Sequence, residues 1–370
     1  MLRSAPAFGL LAKVVTLYAG TVIGAGFASG QEIMQFIIVF GQGGLWGVLL
    51  ATVLFVYLGA VIMALATGLG TTGYDALLDR LLGKRLGWAM DFLNLLMLPG
   101  GLVVMLAGSG AVFAQQLGLP HFLGTVLAAA VTCFVLTGGL PGVLTANLIL
   151  VPLKICALAL VCLSGIFHQG GLGGAGTGEF LAPLAGEKVA GSWGWSAVLY
   201  VSYNIIVPVA VLSSLGRTVP AAVGMAGGAL GGLALGVTAG LITFAGLVFS
   251  PGIGGYEIPL LHIARHLGFA LQSLLGLLIW VAILTTAIAD AHGLASRLAP
   301  EGGRRYKLIG VAVTLAAVPF AGLDFSRLVK VLYPLFGYAG LVLLFALLAA
   351  PGKGLLRCFQ KIYWGRPKKV

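Results

Sequence analysis

Charged residues are scarce in this sequence, and acidic ones are the scarcest. Only 8% of the 370 residues are charged, with 10 Asp and Glu in total, whereas 59% are hydrophobic. A soluble domain needs far more charge to cover its surface, so this composition excludes one. Because the apolar runs are continuous and near the ~20 residues that cross a bilayer as helix, we expect an all-α integral membrane protein and not a β-barrel.

The sequence also lacks the motifs of several common chemistries. The four cysteines form no CxxC pair, no HExxH occurs, and the glycine-rich stretch at 170–176 contains no Gly-Lys-Ser/Thr. We therefore expect no metal centre, no cofactor and no phosphate-binding loop. The spans also contain no evident pair of nucleophile and base, so we do not expect an enzyme. The net charge of +11 comes from basic residues in loops and the tail, so we expect no nucleic acid partner.

Ten apolar runs predict ten membrane spans. With the amino terminus inside the cell, 16 of the 21 Lys and Arg residues fall on the cytoplasmic side, 4 outside and 1 within the membrane. This asymmetry follows the positive-inside rule and predicts a multi-pass protein of the cell membrane with both termini in the cytoplasm. The predicted spans are 8–40, 44–69, 86–116, 122–137, 143–167, 193–215, 220–249, 263–298, 308–321 and 325–349.

The spans divide into two sets of five. The predicted units are a first set within 1–167, a glycine-rich outer connection at 168–192, a second set within 193–350 and a basic tail at 351–370. The tail is typical of segments drawn to anionic lipid at the bilayer surface. Because five is odd, the second set runs through the membrane inverted relative to the first.

Glycines and polar residues interrupt the first span at the middle of the membrane. A membrane helix must satisfy its own backbone, so the stretch from Thr21 to Glu32 is typical of a helix that opens beside a polar cavity. Freed carbonyls there can hold a cation and freed amides a carboxylate. We expect substrate to contact Gly24, Ala25, Gly26, Phe27, Ala28, Ser29 and Glu32.

Two alternatives apply to this stretch. Glycines spaced four apart, at Gly20 and Gly24 and again at Gly26 and Gly30, also let an unbroken helix pack closely on a neighbour. Glu32 lines the outer vestibule or binds a substrate amine in one interpretation. In the other it caps the restarted half-helix together with Ser29 and Gln31.

The sixth span carries a second interruption. Pro208 removes one intrahelical hydrogen bond, and Ser202 and Asn204 bring polar groups to the same depth. Paired interruptions in two inverted halves indicate the binding site of a transporter, so we expect Ser202, Tyr203 and Asn204 to face the substrate. A simple proline kink is the alternative.

The run Ile23-Gly24-Ala25-Gly26 resembles the signature of the amino acid-polyamine-organocation superfamily, whose members share the LeuT fold of five plus five inverted helices. The longer run from Gly20 to Glu32, together with 199–204, resembles the YkvI-type branch of that superfamily. The resemblance implies a LeuT fold with the first and sixth helices broken. It also implies secondary active transport of a small amino acid or related amine by alternating access. A ligand-binding receptor or sensor on the same scaffold is the alternative.

The resemblance further implies a cation site. In sodium-coupled members of this fold, a cation lies between carbonyls of the broken first helix and an Ala-x-x-Thr/Ser-Thr/Ser pattern in span eight. Ala282, Thr285 and Thr286 match that pattern, and the carbonyls of Gly20 and Ile23 would face them. Hard cations take neutral oxygen ligands of this kind, so Na⁺ is the favoured coupling ion.

Lys154 lies in the middle of the fifth span, too deep to reach either surface easily. In proton-coupled amino acid transporters of the same superfamily, a fifth-span lysine is similarly placed, with its ammonium where sodium would lie. Because burial disfavours the charged form of an amine, Lys154 is a candidate for proton coupling. The alternative is a structural ion pair with Asp290, which lies one turn from Thr286 on the same face of span eight.

Span three contributes two further candidates. Ser109 lies among glycines that let the span approach the broken helices, and it is a candidate for contact with substrate. Asp91, near the cytoplasmic end, either pairs with Lys13 or Arg85 as an inner gate or is a solvated charge at the interface.

Overall fold

The computed structural model describes residues 7–70, 74–138, 141–170, 184, 188–250 and 252–350. Within these residues the protein is all-α, and nine segments are long and apolar enough to cross a membrane. The three cysteines in this part, Cys133, Cys156 and Cys162, are free thiols. The predicted tail at 351–370, and most of the predicted connection at 168–192, lie outside the described residues.

The described helices are numbered in chain order, and three short 3-10 turns lie between them at Ile38–Phe40, Gly252–Gly255 and Phe320–Gly322. The helices are α1 (Ala7–Val22), α2 (Ala25–Ser29), α3 (Gln31–Phe36), α4 (Gln42–Leu69), α5 (Tyr74–Leu117), α6 (His121–Gly138), α7 (Pro141–His168), α8 (Trp193–Asn204), α9 (Ile206–Ser213), α10 (Ala221–Val248), α11 (Pro259–Arg265), α12 (Phe269–Leu298), α13 (Gly303–Ala317) and α14 (Phe325–Ala349).

The first span is broken, as predicted. α1 ends just before Gly24, which adopts an extended conformation (φ −82°, ψ −166°), and α2 restarts the helix for five residues. Gly30 then takes a φ of 82°, a conformation that favours glycine, and α3 follows. The alternative of an unbroken helix is therefore wrong, although a Cβ on Gly20 would lie 2.6 Å from Val151 Cγ2, so this glycine does pack closely on α7. Counted as one crossing, α1 to α3 raise the total to ten, consistent with the prediction.

The helix break in the sixth span is smaller than the break in the first span. Only Ile205 separates α8 from α9, and it keeps right-handed helical angles (φ −85°, ψ −15°). Its amide still donates to the Val201 carbonyl at 2.9 Å. Pro208 has no amide proton, so the Asn204 carbonyl loses its ordinary partner. The stretch at 199–208 contains no glycine, and the interruption frees one carbonyl instead of opening a segment of backbone.

α4 and α10, the second spans of the two predicted sets, pack against each other through glycines. A Cβ on Gly59 would lie 2.4 Å from the Gly228 carbonyl oxygen, and a Cβ on Gly228 would lie 2.2 Å from that of Gly59. Such close backbone contact supplies dispersion energy where lipid provides no hydrophobic driving force. Tyr18 of α1 donates its hydroxyl to the Phe55 carbonyl of α4 at 3.0 Å, which fixes the broken span to this pair.

One predicted span boundary is wrong, and one is close to the structure. α5 begins at Tyr74, but Gly83 has non-helical angles (φ 73°, ψ 166°) and separates a short first helix from the predicted third span. The eighth span does not begin at residue 263, because α11 is a separate helix and Gly268 (φ 111°) divides it from α12. The apolar run through Gly268 obscured the end of α11, because composition alone does not show where a membrane helix stops.

Candidate functional site

A cavity of about 390 Å³ lies beside the break in the first span. Its wall is formed by the α1–α2 junction, α3, α5, α8, α9, α12 and α14, and it extends from Glu32 to Arg297 in the last turn of α12. Most of the wall is apolar. The polar side chains on it are Thr21, Glu32, Tyr74, Asn94, Tyr203, Asn204, Thr286, Asp290, Arg297 and Tyr333.

Glu32 points back across the break and joins the two interrupted spans. Its side chain is only 4% exposed. The Tyr203 hydroxyl donates to Oε2, and the Asn204 side chain and the Phe27 amide lie nearby. A Cβ on Gly26 would lie 2.1 Å from Oε1, so only glycine at this position leaves room for the carboxylate. The side chain of Glu32 therefore lies directly over the backbone at the break.

Asp290 is the second carboxylate on the cavity wall. It lies on α12, one turn beyond Thr286, and is partly exposed to the cavity. A Cβ on Gly101 of α5 would lie 2.6 Å from Oδ2, so the absence of a side chain at Gly101 leaves room for the Asp290 carboxylate. Among the described residues, none forms an ion pair with Asp290 or donates a hydrogen bond to it.

Lys154 is buried on α7, with 3% of its surface exposed, and its Nζ donates to the Ile23 carbonyl at 2.9 Å. That carbonyl belongs to the break in the first span. Beside Lys154 lie Ala28 of α2 and Ile279 of α12, and the lysine is not on the wall of the main cavity. Lys154 therefore does not form the alternative ion pair with Asp290, because its ammonium binds the Ile23 carbonyl instead.

The predicted cation ligands are only partly brought together. The hydroxyls of Thr285 and Thr286 both donate to the Ala282 carbonyl, at 3.0 and 2.9 Å. Thr286 also lies next to the break, since a Cβ on Gly24 would be 3.9 Å from its Oγ1. The Ile23 carbonyl accepts from Lys154, and Gly20 packs against α7. Whether these oxygens hold Na⁺ stays a prediction.

Of the predicted substrate contacts in the first span, Gly24, Ala25 and Gly26 line the cavity together with Glu32. The other three, Phe27, Ala28 and Ser29, are buried behind it. Ser29 accepts the Gln31 amide at 3.2 Å and donates to the Gly26 carbonyl at 2.9 Å, so its hydroxyl bonds the backbone on both sides of Gly30. Glu32 does not cap α3 as the alternative proposed, because it accepts the Tyr203 hydroxyl instead.

Two predicted substrate contacts hold helices together away from the cavity wall. Ser202 donates to the Gly337 carbonyl at 2.5 Å, which joins α8 to α14. Ser109 donates to the Gly124 carbonyl at 2.7 Å and accepts from the Trp280 indole at 2.9 Å, which joins α5 to α6 and α12. In span six the cavity is lined instead by the remaining predicted pair, Tyr203 and Asn204.

At the Arg297 end of the cavity, an ion pair links α5 to α12. Both guanidinium nitrogens of Arg297 bond to Asp91, at 2.5 and 2.6 Å. Arg297 is therefore the partner of Asp91, and the predicted partners Lys13 and Arg85 are wrong. The two residues are 206 positions apart, so no local pattern could indicate the pair.

At the other end of α5, two contacts hold the segment before α11. The Gln115 amide group donates to the Ile258 carbonyl at 2.8 Å and accepts the Ile258 amide at 3.0 Å. Glu257 accepts the Phe325 amide at 2.7 Å, and burial raises the pKa of the Glu257 carboxyl. Sequence reasoning missed these contacts, although the glutamines that end the predicted third span were a usable signal. Together the contacts join α5 and α14 to the segment before α11 on the side away from Arg297.

Searches against known proteins find relatives of nearly full length, although no family model matches the chain. YyaD of Bacillus subtilis (strain 168) is 30% identical over 346 residues, 92% of this chain and 96% of YyaD. The membrane protein YkvI of the same organism is 29% identical over 344 residues, 92% of this chain and 96% of YkvI.

Solved structures at low sequence identity are similar in fold. MhsT in complex with L-phenylalanine has a TM-score of 0.55 at 16% identity, covering 95% of this chain and 98% of MhsT. The inward-facing conformation of Mhp1 has a TM-score of 0.54 at 17% identity, covering 89% of this chain and 74% of Mhp1. A mutant manganese transporter of Eremococcus coleocola has a TM-score of 0.52 at 14% identity, covering 94% of this chain and 80% of the transporter. The chain therefore belongs to the protein family of YyaD and YkvI and has the LeuT fold seen in MhsT and Mhp1.

Proposed function

We propose that this protein is a secondary active transporter that moves a small amine-bearing solute across the membrane by alternating access. The observation that carries the proposal is the cavity of about 390 Å³ beside a broken membrane-spanning helix, with carboxylates on its wall. Secondary transporters bind substrate near the bilayer midplane between discontinuous helices of this kind. The fold supports the proposal too, since its solved neighbours include a manganese transporter and MhsT with bound L-phenylalanine.

In this proposal the solute lies between Glu32 and Asp290. Both carboxylates face the same cavity, and a solute ammonium is the complementary charge. Tyr203 and Tyr333 lie on the same wall, and the face of an aromatic ring attracts a cation. The solute would enter from the Arg297 end, while the contacts of Gln115 with Ile258 close the opposite side. Transport then requires a second state in which the Gln115 contacts release and the Arg297 end closes.

We further propose that the coupling ion is a proton, carried by Lys154. The support is its bond to the Ile23 carbonyl, because an ammonium there supplies the positive charge that a metal cation would supply at the same atom. Loss of the proton would release that carbonyl and so change the environment of the break. Sodium remains the second candidate, because the Thr286 hydroxyl lies beside Gly24 at the same break.

Transport is tested with the full-length protein in proteoliposomes. Uptake of radiolabelled small amines and amino acids is measured under an imposed H⁺ gradient, an imposed Na⁺ gradient, or neither. We expect accumulation that depends on one gradient and collapses when an ionophore dissipates it. No uptake of any probe under either gradient would contradict the proposal.

The coupling ion is tested by variants in the same assay. Lys154→Met keeps the volume of the side chain and removes the charge, and we expect accumulation to lose its response to the H⁺ gradient. Thr286→Val removes a hydroxyl and would abolish Na⁺ dependence if sodium were the ion. Lys307→Met is the matched control, because Lys307 is exposed at the start of α13. A full response of Lys154→Met to the H⁺ gradient would exclude proton coupling through Lys154.

A further inference from the structure

We infer that the cavity binds an organic amine that carries no carboxylate, and that it discriminates against the corresponding amino acid. The inference rests on the proposed transport function and narrows its substrate class. Three features of the described residues carry it: the position of Glu32, the surroundings of Asp290, and the placement of the basic side chains.

The first feature is that Glu32 occupies the position where a substrate carboxylate would bind the break. An amino acid held at a broken helix presents its carboxylate to the freed backbone amides. Here Glu32 covers that place, because its Oε1 would lie 2.1 Å from a Cβ on Gly26 and the Tyr203 hydroxyl of the other interrupted span donates to its Oε2. A substrate carboxylate would have to displace the Glu32 side chain to reach the freed amides.

The second feature is the carboxylate of Asp290 on the opposite wall. Within the described part of the chain it has neither an ion-pair partner nor a hydrogen-bond donor. An unpartnered carboxyl group on a mostly apolar cavity wall offers a solute ammonium a hydrogen-bond acceptor, whereas a substrate carboxylate would find no donor there. Gly101 preserves its position, because any Cβ would come within 2.6 Å of Oδ2.

The third feature is that no basic side chain on the described wall is available to a substrate carboxylate. Arg297 is the one basic residue on that wall, and both of its terminal nitrogens bond to Asp91. Lys154 lies outside the cavity and donates to the Ile23 carbonyl. The described side chains that can meet a solute's charge at the centre of the cavity are therefore the two acids, Glu32 and Asp290.

The rest of the wall fits the organic part of such a cation. Met97, Met105 and Phe336 present apolar surface, and Tyr333 lies close enough to both Glu32 and Asp290 for each to act on its hydroxyl electrostatically. An alkyl or aromatic amine can place its ammonium at a carboxylate and its stem against these side chains. A bare metal ion would leave that apolar surface without a partner.

The test compares amino acids with their own decarboxylation products. Binding to the purified full-length protein is measured for agmatine against arginine, histamine against histidine, and phenethylamine against phenylalanine, with Mn²⁺ alone as a further probe. We expect the amine of at least one pair to bind at least about 10-fold more tightly than its amino acid. Tighter binding of the amino acid in any pair would overturn the inference, as would binding of Mn²⁺ without any amine.

Variants then assign the preference to Asp290. We expect Asp290→Asn to weaken amine binding by at least about 10-fold and to remove the preference within the pair. Asp324→Asn, on an exposed residue before α14, is the matched control and should keep both. Unchanged amine binding in Asp290→Asn would overturn the assignment. The comparison within each pair is made on the natural sequence, so it stands even if Asp290→Asn does not fold.

Failure of the inference and failure of the proposed function give different results. If the proteoliposomes accumulate amino acids and exclude every amine, the transport function stands and the substrate class is wrong. If amines bind with the expected preference but no probe is ever transported, the substrate class stands and the protein is a receptor for amines. If no member of any pair binds, the substrate class is wrong whatever the transport assay shows.

Discussion

The packing of Gly26 against Glu32 gives the sharpest test of the geometry at the break. A Cβ at position 26 would lie 2.1 Å from Glu32 Oε1 and 2.8 Å from both Cδ and Cγ, whereas ordinary contacts begin near 3.4 Å. Gly26→Ala therefore forces the carboxylate to move by about 1 Å or more. The backbone cannot give way easily, because Gly26 lies inside α2 and its carbonyl accepts from Ser29.

The cost follows from the bond that this movement breaks. The Glu32 carboxyl group accepts the Tyr203 hydroxyl, and both residues are buried. A buried donor or acceptor left without its partner costs about 1 to 3 kcal/mol. Loss of this bond should therefore destabilise the protein by about 1 to 3 kcal/mol.

The prediction is measured as a double-mutant cycle on the free energy of unfolding in mixed micelles. In the Glu32→Ala background the obstructing carboxylate is absent, so Gly26→Ala should cost less than about 0.5 kcal/mol, and the coupling energy should be about 1 to 3 kcal/mol. Gly24→Ala is the matched control in the same break, because its Cβ would meet Thr286 Oγ1 at an ordinary 3.9 Å. An equal cost of Gly26→Ala in both backgrounds would refute the position assigned to Glu32.

Three further predictions concern contacts outside the cavity centre. Tyr18→Phe leaves the buried Phe55 carbonyl without its donor and should lower the free energy of unfolding by about 1 to 2 kcal/mol, measured in the same micelles. Arg297→Gln breaks a largely exposed pair with Asp91 and should cost at most about 1 kcal/mol, so a loss of several kcal/mol would show a larger structural role. Burial raises the pKa of the Glu257 carboxyl in the folded protein above its pKa in the unfolded chain. Protonated Glu257 therefore contributes its full stabilisation below the unfolded-state pKa, and this stabilisation is lost as pH rises through the folded-state pKa. Melting temperatures taken across pH should therefore fall for the natural protein relative to Glu257→Gln as pH rises, and a difference that stays constant with pH would contradict this.

The sequence was sufficient for the class of protein and for the location of its break. Continuous apolar runs predict membrane helices because lipid leaves the backbone no partner but itself. The same constraint makes the polar and glycine-rich stretch around Gly24 and Gly30 unsuitable for a continuous span, and the structure confirms that the helix stops there. Both inferences depend on residues close together in the chain, where composition and local conformation are coupled directly.

The tertiary structure alone decided which side chains meet. Lys154 binds the Ile23 carbonyl 131 residues away, and Glu32 meets Tyr203 171 residues away. The sequence marked each of these residues as a polar group that needs a partner in the membrane, but it could not choose between candidates such as Asp290. That choice depends on how each helix is rotated and how closely its glycines let its neighbours approach, and these quantities are set by the packing of the whole bundle.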